Sequence, residues 1–91
     1  MKIAMYTSTS CWHCHELKNI FTKNNIIFEE RDIQKSSKFL NDFFDIFNGS
    51  GYPLTVFYGE DGTMIEKVEG VNLKKLSTIL EIDLMKNLIA E

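Results

Sequence analysis

No run of this chain approaches the roughly 20 consecutive apolar residues that a membrane-spanning helix needs, so a membrane is not an expected partner. Basic clusters are missing as well. Lys74-Lys75 is the longest basic run, and 10 basic against 13 acidic side chains leave a formal charge of −3. Without a cationic patch to neutralise phosphates, nucleic acid is not an expected partner either. One proline, five glycines and two cysteines are too few for a collagen-like, low-complexity or disulfide-stapled chain. No repeat and no Pro/Ser-rich linker divides the 91 residues, so a single domain over residues 1–91 is expected. The apolar start, Met1 to Tyr6, is too short for a signal-peptide core and runs at once into Thr7-Ser8-Thr9-Ser10. A cytoplasmic, thiol-reducing location is therefore expected, and there a cysteine pair reads as catalytic or metal-binding rather than structural.

What the chain does contain is periodic apolar material: 44% of it is hydrophobic, with seven phenylalanines. Lys2 to Tyr6 reads as a strand. Cys14, Leu17 and Phe21, with Ile20 beside them, recur at helical spacing and predict a helix from Trp12 to about Asn24. Asn24-Asn25 ends it, since Asn tolerates the left-handed conformation. Ile26 to Arg31 reads as a second strand whose continuous apolar start predicts burial. Ser36 or Ser37 can cap a helix running to about Phe47, with Phe39, Leu40, Phe43 and Phe44 on its apolar side. After the break Asn48-Gly49-Ser50-Gly51, Leu54 to Tyr58 and Thr63 to Glu69 form a hairpin about Gly59-Glu60-Asp61-Gly62. Asn72 can cap a last helix through Leu73, Leu76, Ile79, Leu80, Leu84 and Leu88. The order β-α-β-α-β-β-α predicts an α/β chain: a four-stranded mixed sheet, parallel where helices intervene, with helices on both faces.

The chemistry concentrates in Cys11-Trp12-His13-Cys14, where the first strand passes into the first helix. Unpaired N–H groups and the dipole at a helix N-terminus favour an anion, so the Cys11 thiol is expected to ionise more readily than a free cysteine. At an ordinary pKa of ~8.5 about 3% is thiolate at pH 7; at ~6 about 90% is. Cys14, three residues on, shares that side of the helix and opens the apolar stripe. Cys11 thus reads as the exposed nucleophile, and Cys14 as the shielded thiol that resolves the mixed disulfide. His13, between the thiols, is a candidate for tuning the redox poise. Trp12 lies off the stripe and is a candidate groove-lining aromatic, and His15 is an exposed first-turn residue.

Other readings of the pair are weaker on chemical grounds. Cys-x-x-Cys followed by His15 also spells a c-type haem attachment pattern, which needs export and a haem-enclosing helical fold. Structural zinc wants four ligands in a closed site, and two cysteines with a histidine fall short. A metal- or cluster-binding module, or a redox-sensing interaction domain, are the alternatives from other functional classes. No metal is assigned. The lone proline, in Gly51-Tyr52-Pro53-Leu54-Thr55, starts a strand, where a missing N–H is tolerated, and base rates favour a trans bond.

Together these residues resemble the thioredoxin-fold redoxins, and among them the glutaredoxins. The resemblance covers nearly the whole chain. It rests on the Lys2-to-Tyr6 strand, the Cys11-Trp12-His13-Cys14 motif, Pro53 at a strand start, and Gly70 near the end of the last strand. It implies a thioredoxin-like fold, a cis Tyr52-Pro53 bond across from the cysteine pair, and a thiol-disulfide oxidoreductase. The implied substrate groove is Tyr52, Pro53, Gly70, Val71 and Asn72. No bound cofactor is implied. Disulfide-bonded proteins or small molecules are the expected substrates, with glutathione or a thioredoxin-reductase-type enzyme as electron donor and the chain a monomer. The sequence also departs from the family pattern. Ser8 stands where glutathione-binding glutaredoxins usually have Lys, Gly51-Tyr52 replaces their usual dipeptide before Pro, and neutral Asn72 stands near the place of an Asp. Lys35 or Lys38 would be the compensating cation. The acidic residue that thioredoxins bury beneath the site is absent.

Overall fold

The structure, a computed structural model, describes residues 1–46 and 51–84. Eight segments follow one another: β1 (Lys2–Thr7), α1 (Trp12–Lys23), β2 (Glu29–Asp32), α2 (Ser37–Asn41), a π-helical turn (Asp42–Ile46), β3 (Leu54–Tyr58), β4 (Met64–Glu69) and α3 (Leu73–Leu80). The four strands form one sheet in the order β2-β1-β3-β4. β1 pairs with β2 in parallel, as the α1 crossover requires, while β1–β3 and β3–β4 are antiparallel. This is the expected four-stranded mixed sheet.

Alternation along the strands splits the core in two. Ile3 and Met5 of β1, Phe57 of β3 and Val68 of β4 face one way. They pack against Leu17, Ile20 and Phe21 of α1 and Leu76 of α3, with Leu84 beyond it. Tyr6, Leu54 and Val56 face the other way, against Ile33 and Phe43. The register places Met5, Thr55 and Val68 side by side across β1, β3 and β4, so Thr55 shares the face that α1 covers. On the opposite face the Tyr6 hydroxyl accepts from Arg31 at 2.6 Å, while burial pushes the Tyr6 hydroxyl pKa up to about 12 against the pull of that guanidinium.

Three expected boundaries move. The second strand is Glu29–Asp32, later than its apolar start, and Ile27 is 90% exposed. Asn25 takes the left-handed conformation (φ 57°), as Asn at the end of α1 can, and the chain needs Ile26-Ile27-Phe28 to travel back to the sheet edge. Ile26 and Phe28 still pack on the core from that connection. The second helix keeps its Ser36 cap, with the Oγ accepting from Phe39 N–H, but is α-helical only to Asn41 before the wider π turn places Phe43 in the core. The expected end at Phe47 lies outside the described residues. The last helix stops at Leu80 because Glu81 turns left-handed (φ 57°), so Leu84 reaches the core from beyond the helix. Leu88 lies outside the described residues.

Candidate active site

Topology gathers the candidate residues before any side chain is placed. β1 ends at Thr7, antiparallel β3 begins at Leu54 opposite Tyr6, and β4 ends at Glu69 opposite Leu54. The segments around 8–11, 51–53 and 70–72 therefore emerge at one end of the sheet. Cys11 is the N-cap of α1, extended in backbone (φ −85°, ψ 113°), and its Sγ accepts the Cys14 N–H at 3.1 Å. That contact is the anion-favouring feature expected of a helix N-terminus, delivered to the sulfur itself. Cys14 is 1% exposed and Cys11 partly exposed. The two are joined as a disulfide, with Cα atoms 5.3 Å apart.

The neighbours divide. Trp12 is 71% exposed beside the pair. His13 also points outward, with Nδ1 2.9 Å from Glu16 Oε1 one turn along α1. Tyr52 stacks on Phe43 (ring centroids 5.1 Å apart), and its bond to Pro53 is cis, as the family resemblance implies. Gly70, left-handed at φ 73°, donates its N–H to the Pro53 carbonyl at 2.7 Å and so ties the end of β4 to the proline. Val71 leans on the core, and Asn72 caps α3 by accepting the Lys75 N–H through Oδ1 at 3.1 Å. The Ser8 hydroxyl reaches Gln34 Oε1 at 3.1 Å, Lys38 is paired with Asp42 at 3.1 Å, and Lys35 is exposed.

Two features of the site lie outside the sequence reading. The loop leading to Cys11 is held from β2: Thr9 donates its hydroxyl to Asp32 Oδ2 and its N–H to Gln34 Oε1, both at 2.8 Å, while Asp32 Oδ1 accepts the Gln34 N–H at 2.9 Å. Asp32 is 8% exposed. Burial alone would raise its carboxyl pKa; the bonds from Thr9 and Gln34 and the charges of Lys35 and Lys18 hold it below the usual carboxylate value. The only signal in the sequence was an Asp at a strand end near a Ser/Thr loop, which reads equally well as a turn residue. The second feature is Thr55. It is fully buried, and its Oγ1 has no hydrogen-bond partner. Such an unpaired hydroxyl costs about 1–3 kcal/mol, and a Thr within a strand gives no warning of it. Among the described residues no group of three or more His, Cys, Asp or Glu is arranged to hold a metal ion.

Known proteins share this fold. A mutant form of the thioredoxin-like protein BC3987 superposes with a TM-score of 0.77 at 30% identity, over 89% of this chain and 96% of that one. Escherichia coli NrdH-redoxin, described as a glutaredoxin-like protein with a thioredoxin-like activity profile, shares the fold at a TM-score of 0.68 and 16% identity, over 87% of this chain and 95% of its own. The glutaredoxin grx-1 of Archaeoglobus fulgidus does so at 0.69 and 21%, over 87% and 85%. No curated protein sequence matches the chain. The glutaredoxin family model matches residues 3–60, a stretch that carries the cysteine pair and the cis proline in the positions just described, and the chain therefore belongs to the glutaredoxin family of dithiol-disulfide oxidoreductases.

Proposed function

We propose that Cys11 is the thiolate that attacks a substrate disulfide and Cys14 the thiol that resolves the resulting mixed disulfide. The carrying observation is the Cys14 N–H aimed at Cys11 Sγ at 3.1 Å, with Cys11 partly accessible and Cys14 buried at 1% exposure. Attack forms a bond from Cys11 Sγ to one substrate sulfur and releases the other as thiolate. Cys14 then attacks Cys11 Sγ, frees the second substrate sulfur, and leaves the protein as the disulfide seen here. Two electrons pass to the substrate, and an external thiol donor restores the dithiol.

Protein disulfides are the favoured substrates. Trp12, next to Cys11 in the chain and 71% exposed, offers aromatic surface to a polypeptide beside the sulfurs, with Tyr52 before the cis proline at 36%. The donor is glutathione or a thioredoxin-reductase-type enzyme, with the enzyme at least as effective. Support comes from the absent charges. Ser8 brings no cation and is engaged by Gln34, Lys38 is engaged by Asp42, and the Asn72 oxygen is engaged as a helix cap. Two missing charge-assisted contacts to glutathione amount to roughly 1.5–3 kcal/mol each, about tenfold to a hundredfold in affinity per contact. The proposed setting is the reducing cytoplasm, with the chain acting as a monomer.

The test is disulfide turnover by the purified chain with glutathione plus its reductase, set against a thioredoxin-reductase-type donor. Weak glutathione coupling that Ser8→Lys improves is the expected result. Glutathione turnover as fast as an ordinary glutaredoxin's, unchanged by Ser8→Lys, would overturn the donor assignment. No turnover with either donor would overturn the function.

A further inference from the structure

The buried Thr55 hydroxyl has a natural counterpart that the disulfide state hides. Thr55 lies between Met5 and Val68 in the sheet, on the face that α1 covers, and it stands two residues after the cis proline at the end of the sheet where the cysteines sit. Cys14 is in the first turn of α1, seven residues after the end of β1; it is 1% exposed and stands at i, i+3, i+7 spacing with Leu17 and Phe21, the α1 residues that pack on that face. The strand around Thr55 is paired on both sides, and no main-chain or side-chain group bonds its hydroxyl. A disulfide sulfur has no proton to give and is a poor acceptor. A thiol or thiolate at Cys14 is better suited to bond with a hydroxyl.

We infer that Thr55 is the hydrogen-bond partner of the Cys14 sulfur in the reduced protein. This rests on the proposed roles of the two cysteines. When a donor thiolate attacks Cys11 Sγ, a bond forms from donor sulfur to Cys11, the Cys11–Cys14 bond breaks, and the electron pair departs with Cys14. The Thr55 hydroxyl donates to that leaving thiolate, and once the thiolate takes up a proton the hydroxyl accepts from the thiol. The bond exists only on the reduced side of the couple, so Thr55 biases the pair toward reduction and makes it more oxidising.

Thr55→Val removes the hydroxyl while keeping the shape, and Thr55→Ser keeps the hydroxyl. Each variant and the wild type are equilibrated with dithiothreitol redox buffers, and the dithiol and disulfide fractions are counted by alkylation and mass spectrometry. The Val variant is expected to favour the disulfide about tenfold more than wild type, about 30 mV toward lower potential, with the Ser variant within about twofold of wild type. A crystal structure of the reduced wild-type chain is expected to show Thr55 Oγ1 within hydrogen-bonding distance of Cys14 Sγ, a readout independent of whether any variant folds. An unshifted equilibrium in the Val variant, or a reduced structure with the two atoms apart, overturns the inference while leaving the oxidoreductase intact. A wild-type pair that fails to titrate as a two-electron couple overturns the proposed function and this inference together.

Discussion

Removing the Asp32 carboxylate should loosen the loop that delivers Cys11. In Asp32→Ala the Thr9 hydroxyl and the Gln34 N–H both lose a carboxylate partner, at 2.8 and 2.9 Å. Hydrogen bonds to a charged group contribute about 1.5–3 kcal/mol each. Thr9 and Gln34 are exposed and can turn to water once the carboxylate is gone, so the two bonds together should be worth about 2 kcal/mol rather than twice that. For a chain of this length that is a fall of roughly 10 °C in melting temperature. The sign of the pH dependence follows from the depressed carboxyl pKa. The stabilisation is fully present above the unfolded value, about 3.9, and is lost as pH falls through the lower folded value. Wild type and variant should therefore differ at pH 7 and converge in strong acid. The assay is thermal unfolding of the oxidised chain at both pH values, with a double-mutant cycle against Thr9→Val. A coupling energy of about 0.5 kcal/mol or more is expected for groups in direct contact. Strictly additive effects, or a gap that persists unchanged in acid strong enough to protonate the carboxylate in the folded state as well, would refute the assignment.

Three further outcomes are expected. Cys14→Ser should accumulate a mixed disulfide on Cys11 with protein substrates, identified by mass spectrometry of the trapped species; full dithiol turnover by that variant would contradict the order of attack. His13→Ala should lower the reduction potential because a donor beside the thiols favours the thiolate; a shift under about 10 mV, below ~0.5 kcal/mol on the two-electron scale, would make His13 only the exposed partner of Glu16. Gly70→Ala should destabilise by about 1–2 kcal/mol through its left-handed backbone alone, since a Cβ there meets nothing within 4 Å. Gly51→Ala, equally open but without a positive φ, is the control and should cost less than about 0.5 kcal/mol in chemical denaturation.

The order of strands and helices, the turn at Asp61-Gly62 and the three helix caps were legible in the amino-acid pattern because each is set by a few neighbouring residues. The Cys-x-x-Cys motif was legible for the same reason: its chemistry needs only a strand end, a helix start and two thiols three apart. Ile26-Ile27-Phe28 misled because a continuous apolar run reads the same whether it lines a strand or packs from a connection. Only the left-handed Asn25 and the pull of parallel pairing decided between them. The break in the second helix was equally hidden, since a π turn rotates Phe43 into the core without changing the apolar pattern. The cis geometry at Pro53 came from family resemblance and not from local preference, which favours trans. The ties of Asp32 and Gln34 to Thr9, and the unpaired Thr55, belong wholly to the tertiary structure. Their partners, or the lack of one, are set by strands that meet from distant parts of the chain, and no local pattern records whether a buried oxygen finds a hydrogen bond.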